Sequence, residues 1–329
     1  MPMSNAHKSD LLLVVVTLLA AISWMFSKEA VLMMPPLMFM ALRFLLAGGI
    51  LAIAAHRYLR RLTRDHLKRS VQVGLVFGVA MSCWVMGLFH ASHVGEGAFL
   101  TSLGVVIVPV IARIGFGEAQ PVSTWLAIPV AVAGLALLSL QHGFRMEPGQ
   151  LFFVAAASIF ALFFILNTRA ANTRTETRAS GKTVHRERVP ALVLTAITLI
   201  TVGLFASVLS LLLEPAWSIT FSDFPPILVW WVVASALIGT AARFFVQTYA
   251  QSLSAHSHGV VIMVLEPVWV ALFAAGWFGE TMNPSQMAGC GLIFAALLIN
   301  RWGILSKALR GWSRKKQPDA NPPESPQRG

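Results

Sequence analysis

The chain has 329 residues, 56% hydrophobic and 12% charged, with a mean hydropathy of +0.70, which excludes a soluble globular domain. A formal net charge of +11 would suggest nucleic acid in a soluble chain. Here the cations lie between apolar runs and in the tail, so they read as loops facing an anionic inner leaflet, and no nucleic-acid partner is expected.

Apolar runs of spanning length lie at 11–33, 37–55, 71–90, 97–116, 122–140, 149–167, 190–212, 227–249, 258–278 and 285–304. They predict ten transmembrane helices and an all-α integral membrane protein. Lys8 precedes the first run, which lacks a small-residue cleavage site and therefore reads as a spanning helix, not a removed signal peptide. Loop 56–69 carries Arg57, Arg60, Arg61, Arg64, Lys68 and Arg69 against Asp65. Loop 168–188 carries Arg169, Arg174, Arg178, Lys182, Arg186 and Arg188 against Glu176 and Glu187. With ten helices and cytoplasmic N- and C-termini, both loops fall on the cytoplasmic side, as does the tail with Lys307, Arg310, Arg314, Lys315 and Lys316. The other side collects short or acidic connections, including 213–226 with Glu214 and Asp223. Residues 311–329, ending in QPDANPPESPQRG, are polar and Pro-rich and are predicted to be a disordered cytoplasmic tail. Cys83 and Cys290 sit inside apolar runs and offer no disulfide framework.

The sequence also repeats itself. Shifting by 162 residues, from 103 to 265, lays LGVVIVPVIARIGFGE (103–118) on LEPVWVALFAAGWFGE (265–280) without a gap, Gly97 on Gly259, and Ser123 on Ser285. Five helices per half is an odd number, so the halves, 10–145 and 148–306, are expected to have inverted topology with a site at their interface.

The run LEPVWVAL, then GWFGE at 276–280 and QMAGCGLI at 286–293, resembles the closing motif of EamA-type transporters of the drug/metabolite transporter superfamily. PPLMFMALRFLLAGG at 35–49 is similar to the family's second helix, with Arg43 in its usual place, and Lys28 resembles the lysine near the end of the first. Where the family often shows Trp-Gly before that lysine, this chain has Ala20 and Ala21, with Trp24 displaced. The resemblance implies ten helices in two five-helix repeats and the movement of small metabolites, amino acids or drugs.

Glu266, followed by Pro267, lies roughly 12 Å into a hydrocarbon core about 30 Å thick if its helix starts near His258. A carboxylate there is costly unless paired, protonated or wetted, and a mid-helix proline frees a carbonyl that only neighbouring helices or a watery cavity can satisfy. Arg243 and Glu266 each lie roughly 9 to 12 Å from the inner end, and are predicted to pair. Lys28 and Arg43 fall nearer the outer ends and read as an outer cationic pair with Glu96 as counter-ion. The alternative for those two is snorkelling to headgroups, and for Glu266 a fixed structural pair. Gln247 and Tyr249 extend a polar patch from Arg243, although their helical angles differ, and Trp269 could line a cavity. Arg113 reads as a snorkelling residue, and Glu118 and Glu280 as turn or helix N-terminal residues. Gly74 and Gly78 form a G-x-x-x-G pair suited to close helix packing. His90 with His93, and His256 with His258, fall on opposite sides and lack a third ligand, so no metal or other cofactor is expected.

No Gly-rich phosphate loop or nucleophile pairing is present, so neither ATP use nor enzymatic activity is expected. The leading function is a secondary active transporter of the inner membrane exporting small organic solutes, with protons as the candidate coupling ion and homodimerisation left open. A non-transporting sensor or scaffold on the same fold is the alternative.

Overall fold

The computed structural model describes residues 5–117, 122–139, 147–177, 183–214, 224–253, 263, 265–300 and 302. Helix α1 (Asn5–Val31) ends where the Met33 and Met34 N–H groups turn back on the Ala30 carbonyl, ahead of Pro35. Pro36 opens α2 (Pro36–Ala54), where its missing N–H would have had no intrahelical acceptor and its φ is already helical. The next two donors, Leu37 and Met38 N–H, bond to the Glu214 carboxylate at 2.8 and 2.9 Å. An anion is favoured there by the helix dipole, so Glu214 ties the end of another helix to the start of α2.

A short helix α3 (His56–Leu59) leads to α4 (Arg64–His90), which Thr63 caps by accepting from the His66 N–H at 3.2 Å. The chain continues through α5 (Val94–Ser102), α6 (Gly104–Phe116), α7 (Val122–Ser139) and α8 (Pro148–Ala171). It then forms the antiparallel hairpin β1 (Arg174–Thr177) and β2 (Thr183–Arg186), in register Arg174 to Arg186 and Thr177 to Thr183. Next come α9 (Ala191–Leu213), α10 (Pro226–Ala236), a π-helical segment Leu237–Ala242, α11 (Arg243–Leu253), α12 (Leu265–Phe278) and α13 (Pro284–Asn300).

Among the described residues, seven helical stretches are long and apolar enough to cross a membrane: Leu11–Val31, Pro36–Ala54, Arg64–His90, Val94–Gly115, Pro148–Ala171, Ala191–Leu213 and Pro226–Leu253. The apolar helices Trp125–Gly134, Leu265–Phe278 and Pro284–Ile299 are shorter and occupy the other expected spans. Two sequence expectations change. The all-α expectation acquires a hairpin inside the second basic loop, where RTET and TVHR supply β-branched residues suited to a pleated strand. Residues 258–262 and 264 of the expected ninth span lie outside the described residues, and α12 is described from Leu265. The fourth span is two helices, α5 and α6, joined at Leu103.

Helix α9 packs along α2 and α4, α8 against α4, and α7 against α13, while α1 runs against α10, the π-helical segment, α11 and α12. Glycines permit the closest of these approaches. A Cβ on Gly74 would stand 2.6 Å from the Thr201 Cβ, and one on Gly78 2.9 Å from the Phe205 ring, so the G-x-x-x-G pair is the seam between α4 and α9. On α2, a Cβ on Gly48 would meet the Ile200 backbone nitrogen at 2.8 Å, whereas one on Gly49 meets nothing within 4 Å. Gly48→Val is therefore expected to cost about 1–3 kcal/mol because backbone cannot swing aside. Gly49→Val should shift the thermal midpoint in detergent far less, and equal shifts would count against the seam.

The two basic loops meet. Asp65 pairs with Arg69 at 2.8 Å and with Arg186, and Arg69 donates to the Glu187 carbonyl at 2.7 Å. Helices α6 and α12 share their ending. Gly117 at φ 67° and Gly279 at φ 66° lie in the left-handed region that a side chain would strain, and they coincide in the 162-residue shift.

Candidate functional site

The site begins at the junction of the π-helical segment and α11. Arg243, the first residue of α11, reaches Glu266 in the first turn of α12, with Nη2 at 3.2 and 3.3 Å from the two carboxylate oxygens. Trp24, buried on α1, donates its Nε1–H to the same Oε1 at 3.3 Å. The pair expected from depth is therefore present as a contact, with a third donor whose part the sequence did not reveal. Its side chains are 14% and 17% exposed. Pro267 is the third residue of α12 as described from Leu265, and residues 258–262 and 264 before it lie outside the described residues.

Gln247 stands one turn beyond Arg243 on α11, on the same face, and is 2% exposed. Trp269 follows Glu266 by three residues on α12. Three buried atoms here have no hydrogen-bond partner: Arg243 Nε, Gln247 Oε1 and Trp269 Nε1. Buried polar atoms are almost always satisfied, so orphans on Arg243 itself and on side chains one helical turn from each member of the ion pair are atoms that a ligand or water completes. Tyr249 does not join them; it is 45% exposed and stacks on Phe245, because two residues along a helix turn it away from Gln247.

The outer cationic pair is not formed. Arg43, 1% exposed, donates Nε–H to Thr240 Oγ1, Nη1–H to Ser27 Oγ at 2.6 Å, and Nη2–H to Ser23 Oγ at 2.6 Å and the Gly239 carbonyl at 3.2 Å. Phe39, Phe44 and Trp84 surround the guanidinium with ring centroids 5.7 to 5.9 Å away. Two of the four acceptors belong to the π-helical segment, and Thr240 Oγ–H in turn donates to the Ser235 carbonyl at 2.9 Å, five residues back. Arg43 thus fastens α2 to α1 and to the residues that precede Arg243. Among the described residues it has no carboxylate partner.

Lys28 instead donates to the Leu88 and Ala91 carbonyls at 2.9 and 2.8 Å, closing the end of α4. Glu96 is not its counter-ion either. The carboxylate accepts from Gln150 Nε2 and, at 3.3 Å, from Gln286 Nε2. Each glutamine also caps its own helix: the Glu147 N–H donates to Gln150 Oε1 at 3.2 Å, and the Asn283 N–H to Gln286 Oε1 at 3.0 Å. The Glu280 carboxylate accepts the Val94 and Gly95 N–H groups at 2.8 and 3.2 Å, so it serves a helix N-terminus as expected, though that of α5. A cleft of about 400 Å³ opens beside this cluster, lined by Ser92, His93, Glu147, Thr281, Met282, Asn283 and Gln286. His90 stacks on Phe152. Glu118, Asp223, His256 and His258 and the tail lie outside the described residues.

Apolar helices of spanning length around a partly buried ion pair define a multi-pass helical membrane protein. The chain belongs to the EamA-like transporter family, whose profile matches residues 7–140 and again 147–302. An uncharacterized transporter of Archaeoglobus fulgidus is 23% identical over 225 residues, 68% of this chain and 73% of that protein. A solved crystal structure superposes with a TM-score of 0.60 at 18% identity, covering 90% of this chain and 98% of its own, a likeness of fold alone. By family, then, this is a membrane transporter.

Proposed function

We propose that the chain is a secondary active transporter that exports small organic solutes across the inner membrane by alternating access. In this reading residues 10–145 and 148–306 are two five-helix halves of inverted topology, giving ten crossings with both termini cytoplasmic. The observation that carries it is the Arg243–Glu266 pair, held by Trp24 and flanked by unpartnered polar atoms of Gln247 and Trp269. A scaffold has no use for orphan polar groups in an apolar interior, whereas a solute site does. The matched left-handed glycines ending α6 and α12 support the repeat, and the contact between the basic loops supports their sharing the cytoplasmic side. Glu266 is the group proposed to exchange a coupling proton as the halves rock.

Purified protein in proteoliposomes should move members of a labelled panel of amino acids, organic acids and cationic drugs, faster with an imposed pH gradient than without. Flat flux across the panel would favour the scaffold.

A further inference from the structure

We infer that Arg243, with Gln247 and Trp269, binds a small organic anion that also carries a hydrogen-bond donor. The inference rests on the transport reading for its physiological meaning and on charge and hydrogen bonding for its chemistry. Arg43 bonds to Thr240 and Gly239, one helical turn before Arg243, and Glu266 is the one carboxylate bonded to either arginine among the described residues. The interior group is therefore one positive charge in excess. Three other titratable groups are held elsewhere: Lys28 at the end of α4, Glu280 at the start of α5, and Glu96 by Gln150 and Gln286.

An uncompensated guanidinium in a low-dielectric interior is costly, and one monovalent anion neutralises the group. The orphan atoms indicate where it sits. Arg243 uses Nη2 for Glu266 and leaves its Nε–H without a partner, and Trp269 Nε1 is a second unused donor. Two unpartnered donors on and near a cation suit a carboxylate, which accepts two or more hydrogen bonds and need not displace Glu266. Gln247 Oε1 is the opposite, an unpartnered acceptor on a side chain 2% exposed, and it asks for an N–H or O–H. A purely cationic solute would meet the Arg243 guanidinium and a carboxylate already accepting from Arg243 and Trp24. Trp24, bonded to Glu266, and Phe244, under the Arg243 guanidinium, make the surroundings of the pair aromatic, so the probes share a phenyl ring.

Binding to the purified full chain, read by thermal shift and tryptophan fluorescence, tests this without any flux. The probes are mandelate, a carboxylate with a hydroxyl, phenylacetate, the same anion without it, and 2-phenylethylammonium. Mandelate should stabilise saturably, phenylacetate about three- to tenfold more weakly, and the ammonium not at all. Arg243→Gln should abolish both anions. Gln247→Leu, which keeps the ion pair and is the variant to rely on if Arg243→Gln folds poorly, should bind the two anions equally. Absence of mandelate binding, or binding of the ammonium as well as mandelate, would overturn the inference. Mandelate binding without flux would instead sink the transport reading and leave this one standing, while flux of cations alone would do the reverse.

Discussion

Glu266→Gln is expected to preserve exchange of substrate across the membrane and to eliminate the acceleration of flux by an imposed pH gradient. A glutamine Oε1 can still accept from Trp24 Nε1 and Arg243 Nη2, which the carboxylate now holds at 3.3 and 3.2 Å, so geometry survives while charge and titratable proton disappear. Glu266→Ala removes every acceptor as well and leaves Arg243 with no anion. That should cost about 3–5 kcal/mol, towards the lower end because the pair keeps some exposure. Folded yield, counterflow and gradient-driven flux, measured on both variants, separate the roles. A well-folded Glu266→Gln protein whose flux responds undiminished to the gradient would show that no coupling proton passes through this residue.

Much of the architecture could be read from the chain because hydropathy reports crossing segments directly, and the pairing of Arg243 with Glu266 followed from their common depth. Depth carries no azimuth, however. Lys28, Arg43 and Glu96 share an approximate height, yet Arg43 faces α1 and the π-helical segment, Lys28 faces the end of α4, and Glu96 faces α8 and α13. Their partners are hydroxyls, carbonyls and amides, which a tally of charges never weighs. Ser23 and Ser27, four residues apart on one face of α1, were a faint signal that this face accepts hydrogen bonds from something. The π-helical segment left no mark at all in composition. Gln150 and Gln286 carry no charge, and only the fold reveals that each caps its own helix with its carbonyl and holds Glu96 with its amide. Conversely, the glycines of the LGVV…GFGE repeat announced their own geometry, since a left-handed helix end tolerates little else.

Removing Arg43 is expected to be the most damaging single change to the folded state. Its guanidinium satisfies Ser23, Ser27, Thr240 and the Gly239 carbonyl together, across α1, α2 and the π-helical segment, in a site closed to solvent. Arg43→Ala leaves those acceptors facing a cavity, and hydrogen bonds to a charged group are worth about 1.5–3 kcal/mol each before partial compensation. A loss of about 3–5 kcal/mol is the reasonable net, a large part of the stability of a typical domain. Arg43→Lys does not rescue it, because an ammonium offers three donors from one point where the guanidinium spreads five over a plane. Both variants should show low folded yield and a depressed thermal midpoint in detergent. The loss should extend to Arg243, whose position at the head of α11 depends on the segment that Arg43 grips, so surviving protein should bind mandelate poorly. Thr240→Val, which takes away one acceptor and keeps the cation, should fall between wild type and Arg43→Lys. If Arg43→Gln instead folds with wild-type yield and midpoint but loses substrate affinity, the guanidinium is a substrate ligand and its grip on the π-helical segment is incidental.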